Sequence, residues 1–487
     1  MSGDMAATDL CSKTISEWSH LIREKEISPV DLVQALVDRI EALDPRLHTY
    51  ITFRPEQALK EARDAERDIT LGRYRGPLHG IPMALKDLYD SAGLRTTYGS
   101  KIFEDHLPQQ DATTLARLKE AGAVQLGKLN LHEFAYGPTS INPHYDTARN
   151  PWNLNCIPGG SSGGSGSAVG AGLVGFSLGT DTGGSVRIPA SLCGIVGLKP
   201  TYGLVSRYGI FPLSWALDHV GVMTRSVEDA ALVLQVIAGQ DPKDPTTVDQ
   251  PVPDYRTASL SIDIRGLRIG VPTSFFCDLV EPEVSQAVQL AIDALKELGV
   301  ETIPVSLPLW EHTLTASSLI LGSEATSVHR KWLKTHRDLY DPVVRERLLI
   351  GFFITAEQYL LAQRMRSLLC HQMHQLMQQV ELIAMPTTPI SAVPIEQTTY
   401  LLNGSEHQVA SLLTRHTRLA NLTGQPTASI PCGFTKTNLP IGLQLIGRPF
   451  EETIVLKAAS AYEAATDWHI RRPKLGYADS VTTSSQG

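Results

Sequence analysis

Between Ile157 and Pro200 the chain is as dense in glycine and serine as a flexible linker, yet it is threaded with Ala168-Val169, Leu173 to Leu178, Asp181, Arg187 and Lys199. A solvated linker has no physical reason to interleave apolar and charged residues with its glycines. The stretch also runs on into Cys193-Gly-Ile-Val-Gly-Leu-Lys199, which reads as the interior of a fold. Glycine allows positive φ and a close approach of backbone N–H groups to a ligand. The chain must therefore fold so that this backbone passes tightly against something.

Three familiar patterns fit parts of the stretch and fail in context. Gly159-Gly160-Ser161-Ser162-Gly163 matches the G-x-S-x-G nucleophile elbow, but the elbow needs an apolar strand leading into it. Arg149 to Pro158 is instead rich in Asn and Pro, and the histidine nearest the carboxyl end, His469, sits beside Arg471 and Arg472. Gly170 to Gly175 fits G-x-G-x-x-G without a preceding strand or a following acid to hold a ribose. Gly122 to Lys128 nearly fits a P-loop, with Leu129 where a magnesium-binding hydroxyl belongs.

What remains is an anion-binding turn. Successive N–H groups at Thr182, Gly183, Gly184 and Ser185 can form a small concavity, whose natural occupant is a developing oxyanion. Ser185, at the end of the turn, is then the candidate nucleophile. A serine hydroxyl needs a base, and the stretch holds no histidine. A lysine serves when burial keeps it neutral. Lys86, closing the apolar segment Gly80-Ile-Pro-Met-Ala-Leu-Lys86, has that setting, although a lysine ending a strand is ordinarily a surface residue.

The first 75 residues read as helical: Ser28-Pro29 supplies an N-cap and a first-turn proline, and Gln57 to Arg67 is a second helix. From Gly76, apolar strands alternate with helices (Pro282 to Leu298 and Ala356 to Gln379 are the long ones), which predicts an α/β chain with a sheet covered by helices. The organisation predicted is an N-terminal helical segment over 1–75 packed on a main domain over 76–475, with a tail over 476–487. Gly239 to Pro253 is the best internal boundary or a surface loop. The formal net charge of −8 is spread out and no Lys/Arg run occurs, so neither nucleic acid nor an anionic membrane is an expected direct partner. Six scattered cysteines without C-x-x-C spacing, and an amino terminus unlike a secretory signal, predict reduced thiols and a cytoplasmic setting.

Three blocks resemble the amidase signature family: Gly159-Gly-Ser161-Ser162-Gly-Gly-Ser165, Gly179-Thr-Asp181-Thr-Gly-Gly-Ser185-Val-Arg187, and Cys193-Gly-Ile-Val-Gly-Leu-Lys199-Pro-Thr. The upstream Gly80 to Asp87 resembles the family's lysine strand, and the two serines stand 24 residues apart, as the family shows. The resemblance implies a single α/β/α sandwich on a central mixed sheet. It implies Ser185 as nucleophile, Ser161 as a bridging serine preceded by a cis peptide bond, and Lys86 as base, with Ser162, Asp181 and Arg187 as supports. It further implies hydrolysis of a linear amide C–N bond, or of an aryl amide, carbamate or ester, through an acyl-enzyme, with no metal or other cofactor. A small-molecule amide is the expected partner, and a homodimer is open. Tyr136, in Glu133-Phe-Ala-Tyr136-Gly, falls where family members line the acyl pocket, though it also reads as a structural aromatic packed under its loop.

Within the family, Arg149-Asn-Pro-Trp152, Lys199 to Gly203 and Pro251 to Tyr255 are similar to the A subunit of a tRNA-dependent amidotransferase, which releases ammonia from glutamine. Three departures favour a stand-alone hydrolase. Gly137 to His144 differs from the subunit's pattern, Glu324 to Lys331 lacks its Asp-Gly-x-Arg-Tyr-Gly motif, and Thr414 stands where an acid should partner Arg366, the match to a glutamine-gripping arginine. Trp310, Leu319, Trp332, Phe352 and Phe353 predict a roomy apolar pocket. Cys370, His371 and His374 share a helix, but with no further ligand at metal spacing they read as solvated.

Overall fold

The alternation of strands and helices forms one large sheet in the computed structural model, which describes residues 10–274, 277–306 and 309–476. The strands in chain order are β1 (Tyr50–Phe53), β2 (Pro82–Lys86), β3 (Val124–Leu129), β4 (Phe176–Asp181), β5 (Val196–Lys199), β6 (His219–Thr224), β7 (Arg268–Pro272), β8 (Glu301–Val305), β9 (Leu382–Pro386), β10 (Thr399–Leu402), β11 (Ser405–Gln408), β12 (Thr427–Phe434) and β13 (Pro440–Ile446). Among the described residues eleven of them form a sheet in the order β1-β3-β2-β4-β6-β5-β12-β13-β9-β7-β8, while β10 and β11 pair separately. The sheet is mixed: β2 runs parallel to both β3 and β4, and β7 to both β8 and β9, whereas β4 to β6 and β12 to β13 are antiparallel.

Helices flank the sheet, so its central strands lose both faces to packing and read as near-continuous apolar runs. Every residue of β2, β3, β4 and β6 is buried, while the edge strand β8 is largely open. The amino-terminal region forms the helices Ile15–Arg23, Pro29–Leu47 and Pro55–Thr70, with the Ser28 side chain accepting from Val30 N at the head of the second. It also supplies β1, which pairs antiparallel with β3 and caps one edge of the sheet. Trp18 is fully buried against the domain, its Nε1 donating to Leu10 O at 2.9 Å. The tail expected over 476–487 lies, beyond 476, outside the described residues. Among the described residues no helix is long and apolar enough to cross a membrane.

Two features place the site. The parallel neighbours β2 and β4 pair Leu85 with Leu178, so their carboxyl ends emerge side by side and carry Lys86, Thr180 and Asp181 to one crevice. Such strand ends are where open α/β sheets bind ligands. The glycine-rich stretch then supplies the helix Gly163–Gly170, buried at every position, between β3 and β4. A Cβ on Gly164 would stand 2.5 Å from Asn130 O, so only glycine lets this helix approach the neighbouring backbone.

Candidate active site

Lys86 ends β2 without any exposed surface. Its Nζ donates to Ser161 Oγ at 2.6 Å and to Thr180 Oγ1 at 2.8 Å. Burial pushes the amine down to about 7 from its ordinary 10.5, against the opposing pull of Asp181 and Asp218. In the neutral amine the first contact reverses, with the Ser161 hydroxyl donating to nitrogen.

Ser161 follows a cis peptide bond from Gly160. Its carbonyl accepts from His132 N and from Ser140 Oγ, each at 3.1 Å, which ties the turn down. A Cβ on Gly160 would lie 2.6 Å from Ser140 N and 2.7 Å from Thr139 N, so the turn can only be made with glycine. Ser162 Oγ donates to Thr180 O at 3.3 Å, and Ser162 N donates to Ser185 O at the same distance, stitching the serine turn to the end of β4. Ser185 lines the adjoining cavity and is almost fully buried. Its hydroxyl makes no hydrogen bond among the described residues, an open arrangement common in sites without substrate.

The turn from Thr182 to Ser185 is held by a buried ion pair. Arg187 donates to Asp181 through Nε at 3.0 Å and Nη2 at 2.9 Å, and reaches Gln444 and Asn421, both at 2.7 Å. Burial alone would raise the Asp181 carboxyl, but the Arg187 guanidinium beside it holds it well below the carboxylate range. The same carboxylate accepts from Gly184 N at 2.8 Å. This corrects the sequence expectation of four converging donors: the Gly184 N–H is committed to Asp181, while among the described residues Thr182, Gly183 and Ser185 keep theirs free of protein acceptors. Gly184 has φ +123°, and a Cβ there would collide with Thr417 Oγ1, which explains the glycine.

The cavity beside Ser185 has a volume of about 360 Å³. Tyr136, Thr182, Gly183 and Thr414 line it, together with Arg347 and Arg418. Sequence reasoning found Tyr136 and Thr414 but missed both arginines, as well as Thr180 and the buried His132. Burial, Arg347 and Lys86 together hold that histidine well below its ordinary value. Arg366 stays outside the cavity, its Nε donating to Leu422 O at 2.8 Å. Trp310, Leu319, Trp332, Phe352 and Phe353, expected to form a roomy apolar pocket, do not line this cavity. Trp310 is buried in a core cluster, Trp332 packs on Phe103 and Phe211, and Phe353 is exposed. Cys370 donates weakly to Leu422 O and His371 meets Gln375, and among the described residues no group of three potential ligands is poised for a metal.

The large mixed sheet and its strand-end crevice define an α/β fold with a ligand-binding edge, and the chain belongs to the amidase family of enzymes, whose model, described as Amidase, matches residues 31–456. It is similar to the A subunit of the glutamyl-tRNA(Gln) amidotransferase of Moorella thermoacetica, 43% identical over 96% of this chain and 99% of that protein. The solved structure of the corresponding glutamyl-tRNA(Gln) amidotransferase polypeptide, the A subunit from Thermotoga maritima, has a TM-score of 0.81 at 35% identity, covering 96% of this chain and 98% of that one. A structure described as a vestigial protein complex revealing the evolutionary origins of an s-triazine catabolic enzyme has a TM-score of 0.90 at 35% identity, over 95% of this chain and 100% of that one.

Proposed function

We propose that the chain hydrolyses a linear amide by a relay through Lys86, Ser161 and Ser185. The observation that carries this reading is a fully buried amine held near neutrality 2.6 Å from Ser161 Oγ. Neutral Lys86 takes the Ser161 proton as Ser161 takes that of Ser185, and Ser185 Oγ attacks the amide carbon. The free N–H groups of Thr182, Gly183 and Ser185 surround the oxyanion, where one preorganised donor is worth about 3–4 kcal/mol. The lysine, now protonated, returns its proton through Ser161 to the leaving nitrogen, which departs as a neutral amine. Water then opens the acyl-enzyme by the same relay.

For the biological setting, the relatives weigh toward the A subunit of a tRNA-dependent amidotransferase, which would use partner subunits and the side-chain amide of glutamine. Beside the sequence departures, the cavity adds one observation in favour of a stand-alone hydrolase: its lining holds no Asp or Glu to pair with the ammonium group of glutamine. The deciding experiment is a panel of glutamine, simple primary amides, anilides and carbamates, assayed with the chain alone and with its co-purified subunits, beside Ser185→Ala. Ammonia from glutamine only in the complex supports the amidotransferase role, and turnover by the lone chain supports the hydrolase. Full activity in Ser185→Ala would refute the relay in either setting.

A further inference from the structure

The helix Ala356–Leu376 buries one side and leaves the opposite side open. Ala362, Leu369 and Met373 sit in a core cluster. Half a turn round the helix, Leu360, Leu361 and Leu368 are each more than half exposed. Phe353, in the turn Gly351–Phe353 that leads into the helix, is 83% exposed. Glu357 and Arg364 are exposed as well, and with the leucines they follow the three- and four-residue spacing of a single helix face. The capping box between Thr355 and Gln358 fixes the start of the helix, so the stripe stands on a rigid element. Single exposed leucines are ordinary, but three in a stripe beside an exposed phenylalanine mark an interaction surface.

The two charges on the stripe say what covers it. Glu357 and Arg364 stand seven residues apart, about 10 Å along the helix axis, too far to pair with each other. Neither has an ion-pair partner among the described residues. We propose that the stripe is a two-fold interface with a second copy of this chain, in which the two helices pack antiparallel about Leu360 and Leu361. Leu360 of one copy then meets Leu361 of the other. Glu357 faces Arg364 one turn to either side, and Leu368 faces Phe353 beyond that, so every group on the stripe meets its complement twice. Flanked by apolar residues, the two ion pairs are screened less than open surface pairs. A parallel pair would set Glu357 against Glu357 and Arg364 against Arg364, and like charges select against it. An anionic lipid surface is a poorer occupant, because a helix lying on lipid buries an apolar face with its cations on the polar one, whereas this face carries an acid. The interface goes beyond the amide-hydrolysis reading and is independent of it, since none of the stripe residues lines the cavity beside Ser185.

The test measures the mass of the full chain, with any subunits that co-purify, by light scattering and sedimentation at micromolar concentrations. The expected mass is that of two copies. Leu361→Glu places a charge at the centre of the interface and should give one copy. Glu357→Arg leaves only cations on the stripe and Arg364→Glu leaves only acids, so each alone should weaken association by about tenfold or more. Mixed in equal amounts, these two variants complement each other and should recover the two-copy mass. All three positions are exposed, so circular dichroism and turnover should match wild type, and the charge variants carry the test should Leu361→Glu fail to fold. A one-copy mass for wild type, a two-copy mass that no variant disturbs, or single charge variants that fail to recover on mixing overturns the interface. So does loss of a co-purified subunit in place of the second copy, or binding of wild type to phosphatidylglycerol vesicles that Leu361→Glu abolishes.

Discussion

Replacing Lys86 with methionine keeps an unbranched side chain of four heavy atoms in the buried position and removes the amine. With Lys86 near 7, half of the enzyme holds a neutral base at that pH, about a tenth at pH 6 and about a hundredth at pH 5. Wild-type kcat/KM, measured with chemistry rate-limiting, should therefore rise about tenfold per pH unit below 7 and level off above it. In Lys86→Met the acidic limb disappears and the rate falls by about 10²–10⁴, the contribution of a positioned base. Stability moves the other way. Because the folded amine sits below its ordinary 10.5, the unfolded chain binds more protons between about 7 and 10.5, and this group's contribution to stability rises with pH across that window. Below about 7 the fold bears the full cost of a buried cation, roughly 4–5 kcal/mol at 1.36 kcal/mol per tenfold in proton affinity. The methionine variant escapes that cost and forfeits the contacts with Ser161 and Thr180. Denaturant titration at pH 6 should find it no less stable than wild type. A flat wild-type profile between pH 5 and 9, or a folded Lys86→Met that keeps its turnover, would refute the assignment of the base.

Two further outcomes test the surrounding structure. Thr180→Val removes an oxygen that accepts from Lys86 at 2.8 Å while keeping the shape; losing an acceptor disfavours the ammonium form, so the acidic limb of the pH–rate profile should shift to lower pH, and an unmoved limb would show that Thr180 does not tune the amine. Asp181→Asn breaks a fully buried bidentate pair with Arg187 and should cost about 3–5 kcal/mol in urea unfolding, with a loss under about 1 kcal/mol contradicting its place as anchor of the Thr182–Ser185 turn.

How legible the molecule was depended on whether a feature is local. The lysine strand showed itself because five apolar-flanked residues ending in one charge have few other uses, and the strand Pro82–Lys86 sits where that pattern falls. The strands β4, β5 and β6 were hidden by their glycines, which lower strand propensity. Those glycines answer to packing between elements: a Cβ on Gly197 would lie 2.5 Å from Ala190 Cβ on the helix Arg187–Cys193, and one on Gly221 would lie 2.7 Å from Val186 Cγ2. The helix Gly163–Gly170 was equally unreadable from propensity, because it is stabilised by close backbone packing on all sides and not by helix-forming residues.

Sequence alone determined the family and the α/β class and supplied the short list of residues proposed to run amide chemistry, because glycine spacing, a strand-terminal lysine and paired serines are written in contiguous segments. Tertiary structure decided how donors and charges are allotted. Asp181 takes the Gly184 N–H that spacing would have given to the oxyanion, and the helix around Arg366 turns that arginine to Leu422 O and away from the cavity. Arg347 and Arg418, on separate helices, instead meet at Ser185. An arginine on a helix looks solvated in any one-dimensional reading; only the packing of elements distant in the chain sets which ones line the cavity.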